Sequence, residues 1–263
     1  MQRESLPAPA GGERKRERLR AVFFDVGGTV LQVRPSVGHV YAKAAEKLGY
    51  RVEPGRINRA FQDAWKRSLL RRRQADYITS DDVLREEWRT IVGESFQDML
   101  PPDAALRAFE DLFDHFAGPE PWSLAPKAED TFRALKAAGL EIGVLSNWDS
   151  RLKCILEALG VLGFFDHLVI SHAVAVEKPH HRIFEEAARK ARAGPGALLM
   201  VGDSWEQDIV PVLDLGWRAV WLHSGEDPLS AAQREALGGQ VELAKNFAEI
   251  LEKIRALAGV LDR

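Results

Sequence analysis

Acidic and hydroxyl side chains follow short apolar runs at several points along this chain. The run "AVFF" is followed by Asp25, and the run "LEIGVL" is followed by Ser146. A third run, "ALLMVG", ends before Asp203, and Asp208 lies five residues further on. Carboxylate and hydroxyl oxygens can bind hard divalent cations and can hydrogen-bond to phosphate groups. These positions are therefore the first candidates for chemistry.

The apolar runs predict the strands of a parallel sheet. Predicted strands lie at 21–24, 140–147, 167–171, 197–203 and 218–224, and helical patterns at 127–138, 151–159, 180–193 and 206–215 alternate with them. Each predicted helix ends at a glycine, the residue favoured just past a helix C-terminus. Strands that are apolar throughout and alternate with helices are buried on both faces. The predicted fold class is α/β, a doubly wound parallel Rossmann-like sheet.

More than a hundred residues separate the first two predicted strands, which is too long for one crossover connection. Apolar residues recur there at three- and four-residue spacing, at 36–48, 56–73, 80–97 and 103–116. We therefore predict an inserted α-helical domain at residues 34–121, called the inserted domain below. The α/β core would consist of residues 21–33 and 122–263. We also expect a disordered tail at 1–20 and a helical segment at 228–257 against the sheet edge.

The composition argues against several classes of function. A formal net charge of −3, with 46% hydrophobic and 29% charged residues, gives no drive toward nucleic acid or an anionic membrane. We find neither an apolar run long enough to span a membrane nor a signal peptide. The single cysteine, Cys154, is expected to be a buried helix residue in a reducing, cytoplasmic setting. The basic stretch at 65–74 is expected to be a solvated helix face.

Ligands in an open parallel sheet bind outside the carboxyl ends of the strands. That rule would bring Asp25, Ser146 and Asp203 to one edge, together with Lys178 from the stretch "VEKPHHRIF". Carboxylates crowded at one edge raise one another's pKa values unless a cation lies among them. A set of oxygen ligands that also meets a substrate phosphate suits Mg²⁺. The residues therefore predict a site for Mg²⁺ and phosphate.

Each of these residues also has a purely structural interpretation. Asp203 and Asp208 suit the cap of the helix that follows them, and Ser146 and Asn147 suit a loop. Lys178, taken alone, could be a surface lysine. No folding requirement places an acid, a hydroxyl, a lysine and a second acid in this order at one sheet edge. The set as a whole therefore favours a functional site.

The same stretches resemble the four motifs of the haloacid dehalogenase-like (HAD) superfamily. "FFDVGGTV", "VLSN", "EKP" and "VGDSWEQD" occur in the order of those motifs, and the inserted domain resembles the type I helical cap. "SNWDSRL" resembles the second motif of a subset of HAD-like hydrolases. The resemblance covers about residues 20–225. It implies a HAD-like hydrolase, with a Mg²⁺-dependent phosphatase as the preferred activity.

The resemblance also implies a role for each residue. Asp25 would be the nucleophile that attacks phosphorus and forms an aspartyl-phosphate. Ser146 and Lys178 would hold the oxygens of the transferring group, and Thr29 and Asn147 would complete the phosphate-binding set. The implied Mg²⁺ ligands are Asp25, the backbone carbonyl of Gly27, Asp203 and Asp208. These roles agree with phosphoryl transfer, which depends chiefly on positioning and on stabilisation of charge by metal and lysine.

Gly27 departs from the pattern of the family phosphatases, which usually carry a second aspartate at this position. That aspartate protonates the leaving group and later activates the hydrolytic water, and such help is worth about 10²–10⁴ in rate. We therefore expect a weak phosphatase, or one restricted to activated phosphates such as aryl or acyl phosphates. Three side chains could replace the acid, although each also suits a structural role: His39, Tyr41 and His180.

Other activities remain open. A haloacid dehalogenase attacks carbon with the same aspartate and needs no acid, so Gly27 suits it, but Asp203 and Asp208 would then crowd Asp25 without a metal. A phosphonatase-like enzyme would need a lysine in the inserted domain that the sequence does not identify. A decayed hydrolase would bind Mg²⁺ and phosphate-like ligands without turnover. The expected substrate is a small phosphorylated metabolite, and neither its identity nor the oligomeric state follows from the sequence.

Overall fold

The computed structural model describes residues 17–225 and 228–258 of the chain. Its strands are Ala21–Phe24 (β1), Leu31–Val33 (β2), Trp122–Leu124 (β3), Glu141–Ser146 (β4), His167–Ile170 (β5), Leu198–Gly202 (β6), Arg218–Leu222 (β7) and Val241–Ala244 (β8). Its helices are Val37–Lys47 (α1), Pro54–Gln74 (α2), Asp81–Ser95 (α3), Pro102–His115 (α4), Ala128–Ala137 (α5), Arg151–Ala158 (α6), Ser171–Val174 (α7), His181–Ala191 (α8), Val210–Asp214 (α9), Ala231–Ala236 (α10) and Phe247–Ala258 (α11). Across the described residues, no helix combines the length and the apolar character needed to cross a membrane.

Six strands form a parallel sheet with β1 near its centre. The strand order is β5-β4-β1-β6-β7-β8, and every neighbouring pair runs parallel. Phe24, the last residue of β1, is level with Val144 in β4 and with Val201 in β6. Helices cover the sheet on both faces, so the predicted doubly wound α/β fold is confirmed. The carboxyl ends of these three strands therefore lie together.

Side chains of β1 alternate between two hydrophobic cores, one on each face of the sheet. Val22 and Phe24 belong to the core covered by α5, α6 and α11, whereas Ala21 and Phe23 belong to the core covered by α8 and α9. All four are fully buried, and burial of a large apolar side chain contributes about 1.5–3 kcal/mol. Because both faces are covered, β1 can present polar groups at its carboxyl end and not along its length.

Helices α1–α4 form the inserted domain, which has a hydrophobic core of its own. That core includes Tyr41, Phe96 and Phe109. The chain reaches the domain through β2 and returns through β3, and these strands pair antiparallel with Val33 opposite Trp122. We call this pair the β2–β3 ribbon. The sequence does not predict it, because three residues are too few for a strand pattern to be recognised.

The segment at 228–257 differs from the uninterrupted helical segment that the sequence predicts. A strand, β8, lies between α10 and α11 and pairs in parallel with β7, with Val220 opposite Glu242. The segment does lie at the edge of the sheet, as expected. A four-residue strand is too short to be distinguished by periodicity from a turn of helix. Its pairing with β7 therefore decides its conformation.

The expectation that Cys154 is buried is wrong. Cys154 is exposed, because α6 turns Leu152, Ile155 and Leu156 toward the core. Those three residues form the apolar stripe of a one-sided helix, and residue 154 lies on the opposite side. The thiol therefore faces solvent and takes no part in packing.

The predicted tail at 1–20 falls mostly outside the described residues, which begin at residue 17. The last residues of that range belong to the core. Leu19 is buried, and the backbone N–H of Arg20 donates to the carbonyl of Ala197 at 2.8 Å. This hydrogen bond joins the residue before β1 to the residue before β6. The α/β core thus starts before residue 21, because Leu19 is buried in it and Arg20 hydrogen-bonds to it through the backbone.

Candidate active site

Asp25 lies directly after β1 and is buried at the carboxyl edge of the sheet. Ser146, at the end of β4, donates its hydroxyl to Asp25 Oδ1 at 3.1 Å. Lys178 donates from Nζ to the same oxygen at 2.7 Å. No donor among the described residues hydrogen-bonds to Oδ2. Two donors therefore hold Oδ1 of this carboxylate in place.

Lys178 lies between two carboxylates and is itself only 2% exposed. Its Nζ is 2.7 Å from Oδ1 of Asp25 and 2.6 Å from Oδ1 of Asp208. Burial lowers the pKa of Lys178, but the charges of Asp208 and Asp25 outweigh burial and hold that pKa above its ordinary value. The lysine therefore stays protonated, and its charge is fixed in place.

Asp25, Asp203 and Asp208 bring three carboxylates together, with one oxygen of each within 4.8 Å of the other two. We call these three residues the carboxylate cluster. Asp208 Oδ2 also accepts the backbone N–H of Ser204 at 3.0 Å. Desolvation, reinforced by the charge of Asp25, raises the pKa of Asp203 to about 7 and that of Asp208 to about 6, although Lys178 opposes both shifts. One lysine therefore does not neutralise the cluster.

The donor set of the carboxylate cluster fits a hard divalent cation. Carboxylate oxygens at this separation suit Mg²⁺, which binds few protein carboxylates and keeps several water ligands. The raised pKa values of Asp203 and Asp208 also indicate a cation site, because a bound cation would supply the positive charge that the cluster lacks. Asp203 is exposed as a residue while Asp208 is buried. The cluster thus has one open side for water and substrate.

The two glycines after Asp25 are in close contact with site residues. Gly28 has a φ of +85°, and a Cβ there would lie 2.6 Å from Oδ2 of Asp203. Any larger residue would displace that carboxylate. A Cβ on Gly27 would lie 3.3 Å from Cζ3 of Trp148, so the indole of Trp148 borders the position of the missing aspartate.

Two residues predicted to bind phosphate make other contacts. Thr29 donates its hydroxyl to Oδ1 of Asp203 at 3.4 Å. Asn147 donates from Nδ2 to the carbonyl of Lys178 at 3.0 Å, and its Oδ1 accepts the N–H of Lys178 at 2.7 Å. Thr29 therefore holds a member of the carboxylate cluster, and Asn147 holds the backbone of the lysine. Their predicted part in binding phosphate stays a prediction.

A cavity of about 630 Å³ joins the carboxylate cluster to the inserted domain. Its lining at the sheet edge includes Asp25, Ser146 and Lys178, and its lining in the inserted domain is mostly apolar. The volume is typical of a site for a small organic ligand. Asp25 thus lies at a space that both parts of the chain enclose.

None of the three possible substitute acids is well suited to that role. His39 bonds through Nδ1 to the hydroxyl of Ser36 at 2.9 Å, and His180 accepts the N–H of Arg182 at 3.2 Å. Neither histidine lines the cavity, as far as the described residues define it. Tyr41 does line it, but burial raises the pKa of Tyr41, which makes its hydroxyl a weaker acid. The loss of the aspartate at position 27 is not compensated by these residues.

Arg72 on α2 reaches from the inserted domain to the core. Its side chain is 9% exposed, and Nη1 lies 3.2 Å from Oε1 of the buried Glu177, the residue before Lys178. Burial raises the pKa of Glu177, although the charge of Arg72 opposes this. The expectation that the basic stretch at 65–74 is simply solvated is therefore wrong for Arg72. Where a helix packs against another domain, the basic residues on the packed face are buried even though the rest of the run is solvated.

Backbone hydrogen bonds join the inserted domain to the core beside this ion pair. The N–H of Glu177 donates to the carbonyl of Tyr77 at 2.8 Å, and the N–H of Thr79 donates to the carbonyl of Ala175 at 3.1 Å. The loop between α2 and α3 is thereby held against the segment that leads to Lys178. The inserted domain thus contacts the core at this loop as well as at the β2–β3 ribbon.

The stretch "SNWDSRL" supplies contacts that the sequence did not identify residue by residue. Asp149 accepts from Nε and Nη2 of Arg151 at 2.9 and 2.6 Å. Arg151 also donates from Nη1 to the carbonyl of Phe113 in the inserted domain at 2.6 Å. Trp148 borders Gly27, as described above. In the sequence, the resemblance of "SNWDSRL" to the second motif of a subset of HAD-like hydrolases was the one feature that pointed to these residues.

Comparisons with known proteins agree with the motifs. The sequence profile of the haloacid dehalogenase-like hydrolase family matches residues 19–212, and that of an HAD-hydrolase-like family matches residues 175–250. Haloacid dehalogenase-like hydrolase domain-containing protein 3 from Bos taurus is 33% identical over 253 residues, covering 93% of this chain and 97% of that protein. Glyceraldehyde 3-phosphate phosphatase from Methanothermobacter thermautotrophicus is 30% identical over 227 residues, covering 82% of this chain and 90% of that protein.

A solved dehalogenase has the same fold. The L-2-haloacid dehalogenase RSc1362 matches with a TM-score of 0.67 and 19% identity, covering 91% of this chain and 100% of that chain. At this identity the likeness shows the fold and no activity, so the fold does not separate phosphatases from dehalogenases. With a family profile over residues 19–212 and relatives that match along most of its length, this chain belongs to the haloacid dehalogenase-like hydrolases.

Proposed function

We propose that this hydrolase is a Mg²⁺-dependent phosphatase that transfers the phosphoryl group of a small phosphorylated metabolite to Asp25. The observation that carries the proposal is the carboxylate cluster, whose oxygens lie within 4.8 Å of one another, with Lys178 bonded to two of its members. Three acids and a lysine at one sheet edge suit a metal and a phosphate. The 30% identical relative named glyceraldehyde 3-phosphate phosphatase supports phosphoryl chemistry.

In the first step, Oδ2 of Asp25 attacks phosphorus while Ser146 and Lys178 hold Oδ1. A bond forms between Asp25 and phosphorus, and the bond from phosphorus to the ester oxygen breaks with its electron pair on that oxygen. Lys178 is fixed beside the reacting carboxylate, so its positive charge opposes the negative charge of the phosphoryl oxygens. Bound Mg²⁺, held by the carboxylate cluster, would neutralise further negative charge there.

In the second step, water attacks the phosphorus of the aspartyl-phosphate. The bond between phosphorus and Asp25 breaks, inorganic phosphate leaves, and the carboxylate of Asp25 is restored. Gly27 has no side chain to donate a proton in the first step or to accept one in the second. The leaving group must therefore depart as an anion, which aryl and acyl phosphates allow and alkyl phosphates resist.

A 2-haloacid dehalogenase is the second candidate, and Gly27 is the observation that favours it. The carboxylate cluster argues against it, because a site without metal would leave the charges of Asp203 and Asp208 beside the nucleophile with one lysine to oppose them. A phosphonatase-like reaction needs a lysine from the inserted domain. No lysine of that domain lines the cavity within the described part of the chain. A decayed binding protein is disfavoured, because Asp25 keeps an oxygen without a hydrogen bond from the described residues.

The test is release of inorganic phosphate from acetyl phosphate and 4-nitrophenyl phosphate, with glycerol 3-phosphate as the alkyl substrate. We expect turnover of the first two with Mg²⁺, none with a chelator, and little turnover of glycerol 3-phosphate. Chloride release from 2-chloropropionate, measured in parallel, should be absent. Chloride release without phosphate release would replace the proposal with the dehalogenase.

The carboxylate cluster also predicts how pH and Mg²⁺ act on stability. Asp203 and Asp208 hold protons up to pKa values of about 7 and about 6 in the folded protein, against an ordinary value of 3.8. A raised carboxyl pKa stabilises the fold at low pH, and this contribution is lost as pH rises through the folded pKa. Metal-free protein should therefore lose stability from these groups as pH rises from about 4, near the ordinary carboxyl pKa, to about 7, the higher of the two folded pKa values.

Mg²⁺ must displace those protons, so its apparent affinity should rise by up to about tenfold per pH unit below the pKa of each group. We expect Mg²⁺ to raise the thermal midpoint clearly at about pH 8 and very little at about pH 5. Differential scanning calorimetry measures this, and the Asp203→Asn variant is the control in which the Mg²⁺ effect should shrink. An equal Mg²⁺ effect at both pH values would contradict binding at this cluster.

A further inference from the structure

Aromatic rings line the cavity from the carboxylate cluster into the inserted domain. We call them the aromatic chamber: Tyr41, Phe61, Trp65, Trp88, Phe116, Trp122 and Trp148. Consecutive ring centroids are 5.1 Å apart for Trp148 and Trp122, 5.3 Å for Trp122 and Phe116, 6.4 Å for Phe116 and Tyr41, 5.9 Å for Tyr41 and Phe61, and 6.3 Å for Phe61 and Trp65. The path of rings starts beside Gly27, which Trp148 borders.

The aromatic chamber leaves apolar surface uncovered. Six of its seven rings are only partly buried, and the exception is Tyr41. A packed core covers such rings completely, because protein interiors are as dense as organic crystals. Uncovered aromatic surface around a cavity of about 630 Å³, beside a reactive carboxylate, is typical of a ligand site.

The chamber lies where the leaving group of a phosphate ester would extend. Phosphorus must meet Asp25, between Ser146 and Lys178, and the cavity continues from these residues to the side chains of α2, α3 and α4. The rings would restore few of the hydrogen bonds that the hydroxyls of a sugar lose with water there, and polar side chains such as Asn58 and Gln62 are a minority of the lining in the inserted domain. An aromatic group would instead stack on the rings or meet their edges.

We propose that the substrate is an aryl phosphate whose aromatic group occupies the aromatic chamber, an inference that rests on the proposed phosphatase function. Gly27 and the chamber point to it separately, since aryl oxides leave without protonation and the rings bind an aryl group. The phosphorus–oxygen bond breaks with its electron pair on the aryl oxygen as the bond to Asp25 forms. The aryl oxide then takes a proton from water on release.

The test compares three substrates on the wild-type enzyme with Mg²⁺. Acetyl phosphate is activated but has no ring, whereas phenyl and 2-naphthyl phosphate have leaving groups of similar acidity and different apolar size. We expect kcat/KM for 2-naphthyl phosphate to exceed that for phenyl phosphate by about tenfold or more. Equal values for these two esters would overturn the proposal, because the chamber would then contribute no binding.

Two adjacent leucines on α2 provide matched variants. Leu69 lines the cavity, whereas Leu70 is 61% exposed. Leu69→Ser should lower kcat/KM for 2-naphthyl phosphate by about tenfold and leave acetyl phosphate within about twofold. Leu70→Ser should change neither. Equal losses of kcat/KM for 2-naphthyl phosphate and acetyl phosphate in Leu69→Ser would indicate a folding defect. The ratio of kcat/KM for 2-naphthyl phosphate to that for phenyl phosphate, measured on the wild-type enzyme, then decides whether the chamber proposal holds.

Failure of the phosphatase function is distinguishable from failure of the chamber proposal. If wild-type protein releases no phosphate from acetyl phosphate, the proposed function fails. Calorimetric binding of 2-naphthylmethylphosphonate, which cannot be hydrolysed by this reaction, then tests the chamber directly. Binding that Leu69→Ser weakens and Leu70→Ser preserves would support an aryl site. Turnover of acetyl phosphate without any preference for 2-naphthyl over phenyl phosphate would support the phosphatase function and contradict the chamber proposal.

Discussion

Asp25→Asn is expected to lower phosphate release from every ester by about 10⁴-fold or more. The amide of asparagine is a far weaker nucleophile than a carboxylate, so no bond to phosphorus forms. The variant should remain folded, because its Oδ1 can still accept from Ser146 and Lys178, the two donors that hold Asp25. Stopped or initial-rate phosphate assays with acetyl phosphate, on protein of verified thermal midpoint, measure the loss.

Asp63→Asn is the matched control for that variant. Asp63 lies on α2 with its side chain 64% exposed and contacts Lys66. The same acid-to-amide change at an exposed position should leave phosphate release within about twofold, since surface substitutions rarely exceed about 0.5 kcal/mol. Activity of Asp25→Asn near the wild-type value would show that another group attacks phosphorus, and it would exclude the aspartyl-phosphate route.

Gly27→Asp is expected to raise turnover of glycerol 3-phosphate relative to acetyl phosphate by about 10²–10⁴-fold. The new carboxyl would donate a proton to an alkoxide leaving group, which acetyl phosphate does not need. The Cβ would lie 3.3 Å from Cζ3 of Trp148, so the indole must move by a few tenths of an ångström. Trp148 is partly buried beside the cavity, which gives the ring room to shift.

Gly27→Asn is the control, because asparagine has the same size as aspartate but cannot exchange a proton in this role. It should leave the ratio of the two substrates near the wild-type value. If wild-type enzyme already turns over glycerol 3-phosphate as fast as acetyl phosphate, a substitute acid exists, and the argument from Gly27 fails. An equal gain in both variants would indicate a steric effect on the cavity instead.

The strand-end rule predicted which side chains meet at the sheet edge. Asp25 and Asp203 come directly after β1 and β6, and Ser146 is the last residue of β4. These three strands are neighbours in the sheet, so backbone geometry alone brings their carboxyl ends together. Lys178 and Asp208 follow at short intervals after strands of the same sheet. The structure brings all five together, while their chemical roles stay predictions.

Side-chain direction and domain contact could not be predicted in the same way. The hydroxyl of Thr29 and the amide of Asn147 each have several partners within reach, and one sequence does not rank them. Arg72 lies in a run of similar basic residues, and the identity of the one that meets Glu177 depends on how α2 crosses the core. Likewise, the apolar pattern of α1–α4 predicts helices but not the cavity that the inserted domain forms with the core.

The β2–β3 ribbon places the two ends of the inserted domain side by side, with Val33 opposite Trp122. A tight turn could join such a strand pair directly, and the domain has a hydrophobic core of its own. The segment that supplies five of the seven rings of the aromatic chamber is therefore a module with its own hydrophobic core, joined to an α/β core that carries the whole carboxylate cluster. Descendants of this enzyme could exchange the module for another and acquire a new substrate while every residue of the carboxylate cluster stays unchanged.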